Sequence, residues 1–114
     1  MERRRFPRQG IGWRGRCILG DDPWAIWIEC RAIDISLIGL GIEVFGPVPT
    51  DVLGRSLTVE VSPPTKPSVG LKLSGPVRHR RPGRHGSVHV GMEISDVSLT
   101  EGSATRAVER FETR

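Results

Sequence analysis

The sequence predicts an all-β chain, a six-stranded antiparallel β-barrel closed by a short C-terminal α-helix. Three observations carry this. Apolar and polar residues alternate in six short segments, Gly- and Pro-rich turns separate those segments at even spacing, and only the final stretch changes to a helical period. At 114 residues the chain suits one compact domain. With 14 glycines and 9 prolines it is rich in turns, which favours strands over long helices.

Residues 1–10 contain one strong apolar side chain, Phe6, and no alternation, so they read as a flexible basic arm. Residues 11–114 then form the barrel and its helix. In the first strand, residues 11–19, Ile11, Trp13, Cys17 and Leu19 alternate with Arg14 and Arg16. After the turn Gly20-Asp21-Asp22-Pro23 comes the clearest strand, residues 25–34, with Ile26, Ile28, Cys30 and Ala32 on one face and Trp27, Glu29 and Arg31 on the other. A third strand starts near Leu40, turns Ile42 and Val44 inward and ends at Gly46-Pro47. The fourth carries Leu57, Val59 and Val61 and stops at Pro63-Pro64, because proline cannot donate to a strand ladder. A fifth runs from Val69 through Leu71 and Leu73 to Val77, and a basic loop over residues 79–86 leads to the sixth, residues 88–94. Finally Ser98-Leu99-Thr100-Glu101 has the capping-box pattern, and Ala104, Ala107, Val108 and Phe111 fall on one helical stripe that would pack on the barrel.

Charge points to the partner. The net charge of +4 hides two clusters, Arg3, Arg4, Arg5, Arg8, Arg14 and Arg16 at the start and Arg78, Arg80, Arg81 and Arg84 later, and all but two of the seventeen basic residues are arginine. Arginine adds planar stacking and forked hydrogen bonding to its charge, which favours phosphate or guanine over a generic acidic surface. No apolar run approaches a membrane span and the N-terminus has no signal-like segment, so a cytoplasmic protein is expected. Cys17 and Cys30 lack metal-ligand spacing and read as free core thiols. His79, His85 and His89 have no acidic or thiol ligand at suitable spacing, so no metal is expected. Nor does any nucleophile and base pair or phosphate-binding loop suggest an enzyme. Trp13, Trp24 and Trp27 read as packing residues, with Trp24 or Trp27 able to dock a partner protein if exposed.

Two constellations carry the functional reading. The first is Arg4-Arg5-Phe6-Pro7-Arg8, an RxxxR arrangement where the arm enters the first strand. Basic tails ordinarily stay solvated, and the sharper reading is that both guanidinium groups clamp one compact anion with flat faces. The second is Asp34-Ile35-Ser36-Leu37-Ile38-Gly39, a DxSxxG turn after the clearest strand. Asp and Ser commonly bond nearby backbone in such turns, and a glycine tolerates the positive φ that a tight turn can demand. The sharper reading has the carboxylate accepting from a guanine edge, the hydroxyl meeting a phosphate or base atom, and the glycine allowing close approach.

Together, in this order and with the later strand Val88-His89-Val90-Gly91-Met92-Glu93-Ile94, these motifs resemble the PilZ domain family over most of the chain. The resemblance implies a six-stranded β-barrel with a C-terminal helix, no catalysis, and binding of the bacterial messenger cyclic di-GMP as a regulatory ligand rather than a cofactor. It assigns the paired arginine roles to Arg4 and Arg8 and the turn roles to Asp34, Ser36 and Gly39. Arg3, Arg5, Arg78 and Gly91 are additional candidate contacts. On this reading the ligand bridges arm and turn, the arm folds over the barrel, and an unidentified effector protein reads the new surface. Two alternatives stand beside it: a small basic barrel that binds single-stranded nucleic acid, and a PilZ-like adaptor that binds no nucleotide. The first is disfavoured because the arginines cluster at an arm and a loop instead of interleaving with aromatics on one strand face.

Overall fold

A computed structural model describes residues 9–101. Seven strands make one antiparallel sheet: β1 (Gln9–Leu19), β2 (Ile28–Ile35), β3 (Gly39–Val44), β4 (Ser56–Ser62), β5 (Val69–Pro82), β6 (Val88–Glu93) and β7 (Asp96–Glu101). Their order is β4-β1-β2-β3-β6-β5-β7, and a further β4–β5 pairing closes the first six into a barrel. Closure gives every barrel strand two neighbours and so satisfies its backbone donors and acceptors.

The alternation seen in the sequence is what fills the barrel. Leu40, Ile42 and Val44 of β3, Leu57, Val59 and Val61 of β4, Leu73 and Val77 of β5, and Val90 and Met92 of β6 are all buried. Cys17, Cys30 and Ala32 complete the core beside β1 and β2. Small thiols suit the crowded β1–β2 crossing, where Gly15 pairs with Cys30 and Cys17 with Ile28. A hydrogen bond with the Cys17 thiol, reinforced by burial, holds the Cys30 thiol far above its ordinary range. Both cysteines are free and buried. Because both side chains are shut away from solvent, neither cysteine is expected to react with a water-soluble disulfide reagent at pH 8 in the folded protein. Both should react in guanidinium, and rapid native-state labelling would contradict this packing.

Several expectations change. β2 begins at Ile28 and not at residue 25, and Ile26 lies exposed in the β1–β2 connection with Trp24, which is 89% exposed. Trp27 is instead covered by Arg16, whose guanidinium carbon sits 4.0 Å from the ring centroid while the same side chain bridges to Glu60 at 3.1 Å. β5 runs on through residues 78–82, so the basic loop shrinks to a 3-10 turn at Arg84–Gly86. Its charges did not exclude a strand, because outward positions of a barrel wall tolerate them.

The predicted C-terminal helix is the largest correction. Among the described residues there is no α-helix: Ser98, Leu99, Thr100 and Glu101 lie in β7, paired with Lys72, Leu71, Gly70 and Val69 of β5. A capping box is a local preference, and the unpaired edge of β5 offers these residues a full ladder instead. The apolar stripe from Ala104 to Phe111 lies outside the described residues. No helix among those described is long and apolar enough to cross a membrane.

Candidate functional site

The DxSxxG segment forms the end of β2 and the turn into β3. Ser36 N–H donates to the Gly39 carbonyl at 2.9 Å, and the Ser36 hydroxyl accepts from Gly39 N–H at 3.2 Å and, more weakly, from Ile38 N–H at 3.4 Å. Both lone pairs of the hydroxyl are thereby occupied, which leaves its proton to donate outward. A bond from Ile94 N–H to the Ile38 carbonyl, 2.9 Å, ties the turn to the end of β6. The turn is therefore held rigidly, with Leu37 and Ile38 exposed at its tip.

Gly39 does not use a positive φ. Among the described residues the left-handed glycines are Gly54 and Gly86, joined by His85 at φ 54°. Its use is close approach: Gly39 is buried and lines an open groove of about 410 Å³ with Ile38, Arg78, His79, Gly91 and Glu93.

Strand register shows how the site is built. Gly10 of β1 pairs with Asp34 of β2, Asp34 with Gly41 of β3, Gly41 with Gly91 of β6, and Gly91 with His79 of β5. Partners across a ladder point to the same face, so these five residues form one row on the outside of the barrel. Its middle is bare backbone. The Asp34 carboxylate leans over Gly41, so that a Cβ there would stand 2.9 Å from its oxygens, and the His79 ring lies directly over Gly91. Beside this row Gly39 pairs with Glu93. Gly39, Gly41 and Gly91 thus make a floor of bare backbone, overlain by the Asp34 carboxylate at Gly41 and by the His79 ring at Gly91.

The structure brings Asp34, Ser36, Gly39 and Gly91 to this outer surface. Arg78 stands at the groove's rim, held by Glu93 through Nη2 at 3.0 Å. Arg80, which the sequence grouped with it, turns the other way and donates to the Val48 carbonyl at 3.0 Å. Arg3, Arg4, Arg5 and Arg8 lie outside the described residues. Their attachment point is nevertheless fixed, since Gln9 pairs with Ile35 and Gly10 with Asp34. Sequence reasoning missed Gly41 and His79. A Gly-x-Gly start to β3 was visible, but only register reveals which strands it faces. No group of three or more His, Cys, Asp or Glu residues among those described is placed to hold a metal. A separate, partly open gap of about 40 Å³, lined by Cys17, Val44, Val52 and Val77, is apolar.

Comparison with known proteins accords with this architecture. The PilZ domain family model matches residues 2–110. The fold is similar to that of the inhibitor of motility MotI/DgrA from Bacillus subtilis, with a TM-score of 0.62 at 15% sequence identity. That similarity covers 86% of this chain and 44% of the other, so this chain spans less than half of it. Comparison with curated proteins returned no match. Matched over nearly its whole length and built as a closed β-barrel, the chain belongs to the PilZ domain family, whose members are regulatory binding domains.

Proposed function

We propose that this chain is a cytoplasmic receptor for cyclic di-GMP. Arg4 and Arg8 grip the ligand from the arm, Asp34, Ser36 and Gly39 hold it from the turn, and Arg3, Arg5, Arg78 and Gly91 add contacts. The observation that carries the reading is the pairing of Gln9 with Ile35 and of Gly10 with Asp34, which anchors the arm at the edge of the polar turn. Arg8 is one peptide bond from that anchor, and Arg4, five residues from Gln9, lies within about 17 Å of it even at full extension. Both side chains can therefore reach a guest seated over the glycine floor.

The chemistry is complementary. Two phosphates attract the arm's charge, and guanine O6 and N7 accept an arginine fork. The Asp34 carboxylate suits the donor edge of guanine, and the outward proton of Ser36 suits an anionic oxygen. Arg78 joins by exchanging Glu93 for a phosphate. Binding folds the arm across the barrel, and an effector protein reads the surface so formed.

Calorimetric titration tests this. Cyclic di-GMP should bind at a defined stoichiometry, GTP, cyclic di-AMP and a short single-stranded oligonucleotide should bind far more weakly, and Arg4→Ala should weaken the first response. Preferential oligonucleotide binding that falls steeply with salt would instead indicate a polynucleotide surface, and no nucleotide binding at all would leave a protein adaptor.

A further inference from the structure

Arg14 and Arg31 belong to neither the polar turn nor the arm, and strand register sets them side by side. Ser62 of β4 pairs with Arg14 of β1, and Arg14 with Arg31 of β2, so the three lie in one row on the outside of the barrel. Both arginines are exposed, and neither forms a hydrogen bond or an ion pair among the described residues. Like charges directly opposite each other destabilise a sheet. On its other side Arg31 pairs with Glu43 of β3, yet the Glu43 carboxylate is held by the Ser87 hydroxyl at 3.1 Å. The Arg31 guanidinium turns toward β1 instead and overhangs Gly12, where a Cβ would stand 3.2 Å from its Nη2. Gly12 lies in a bulge: Gly10 pairs with Asp34 and Trp13 with Ala32, which leaves Ile11 and Gly12 opposite Ile33 alone. Beyond the two cations Pro63, Pro64 and Pro67 raise an apolar wall. Together these residues line an open groove of about 330 Å³ whose described lining holds no carboxylate.

We propose that this groove binds a small phosphate monoester, with the phosphoryl group between Arg14 and Arg31, the Ser62 hydroxyl donating a further hydrogen bond, and the apolar remainder of the ligand against the prolines. An anion seated there neutralises the cross-strand repulsion between the two guanidinium groups. Their forked donors match pairs of phosphate oxygens, which favours a phosphoryl group over a point charge such as chloride. The groove shares no lining residue with the one beside the β2–β3 turn. The site is therefore separate from that of the messenger and does not depend on it.

The test follows backbone amide resonances by two-dimensional NMR while phenyl phosphate is added to the whole protein, with ionic strength held constant by chloride. The shifts should saturate and centre on Gly12, Arg14, Arg31 and Ser62. Inorganic phosphate should move the same resonances but bind more weakly, since it has no ring to cover the prolines. Arg14→Gln and Arg31→Gln should each weaken phenyl phosphate about tenfold, the loss expected for one charged hydrogen-bonding group, and leave the cyclic di-GMP titration unchanged. In phosphate-free buffer of low ionic strength Arg31→Gln should also raise the melting temperature by about 1–4 °C, because the repulsion is gone. Shifts that do not saturate, or that both variants retain at parental affinity, overturn the site. Equal affinity for phenyl and inorganic phosphate overturns the proline wall, and an equal loss of cyclic di-GMP affinity in the variants overturns the separateness of the groove. A lowered melting temperature of Arg31→Gln overturns the repulsion between the arginines.

Discussion

Arg8→Ala should fold like the parent and bind cyclic di-GMP about ten- to a hundred-fold more weakly in a calorimetric titration. The range follows from chemistry: a hydrogen bond to a charged group contributes about 1.5–3 kcal/mol, and about 1.4 kcal/mol is a factor of ten. Arg8 directly precedes Gln9, the first described residue paired across to β2 beside the turn. The barrel core lies elsewhere, in residues such as Leu40, Val59 and Val90, so the thermal midpoint should not move. An unaltered affinity would remove Arg8 from the site, and a lowered midpoint would show that its role is structural.

Gly75→Ala should cost about 3 kcal/mol of stability, a large share of the 5–15 kcal/mol typical of a domain. Gly75 lies where β5 changes partners, after Ser74 pairs with Asp96 of β7 and before Val77 pairs with Met92 of β6. A bond of 2.8 Å from Ser95 N–H to the Ser74 carbonyl fastens the crossing. A Cβ on Gly75 would collide with the Glu93 carbonyl oxygen and stand 3.1 Å from Ser95 N, and both are main-chain atoms that cannot swing aside. The strands themselves must separate. Gly10→Ala is the control, because the nearest atom to its Cβ would be the Ile33 carbonyl oxygen at 4.0 Å, and its effect should stay within about 0.5 kcal/mol. Urea unfolding measures both, with the midpoint shifting at constant slope. A Gly75→Ala protein as stable as the parent would refute the crowding.

The six barrel strands were legible because each carries a two-residue period that survives into burial, as in Leu57, Val59 and Val61 of β4. The polar turn was legible for a similar reason: Ser36 and Gly39 bond each other across three residues, within reach of a local motif. What failed depended on distant partners. Ser98 to Glu101 carry both a helix-start signal and an alternating pattern, and only the open side of β5, about thirty residues earlier, decides between them. Arg78 and Arg80 looked alike in sequence, yet the irregular register between Val77 and His79 sends them in different directions. His79 gains its meaning from Gly91 and from His89, ten residues further on, neither of which a local reading connects to it.

The floor made by Gly41 and Gly91 has one more consequence. Among the described residues, the side-chain groups lying over the outer face of these facing glycines are the Asp34 carboxylate and the His79 imidazole. Any guest that draws those groups aside changes the surroundings of both amides at once. Their nitrogen and proton resonances should therefore be the earliest reporters of occupancy, a pair of intrinsic sensors that needs no attached dye.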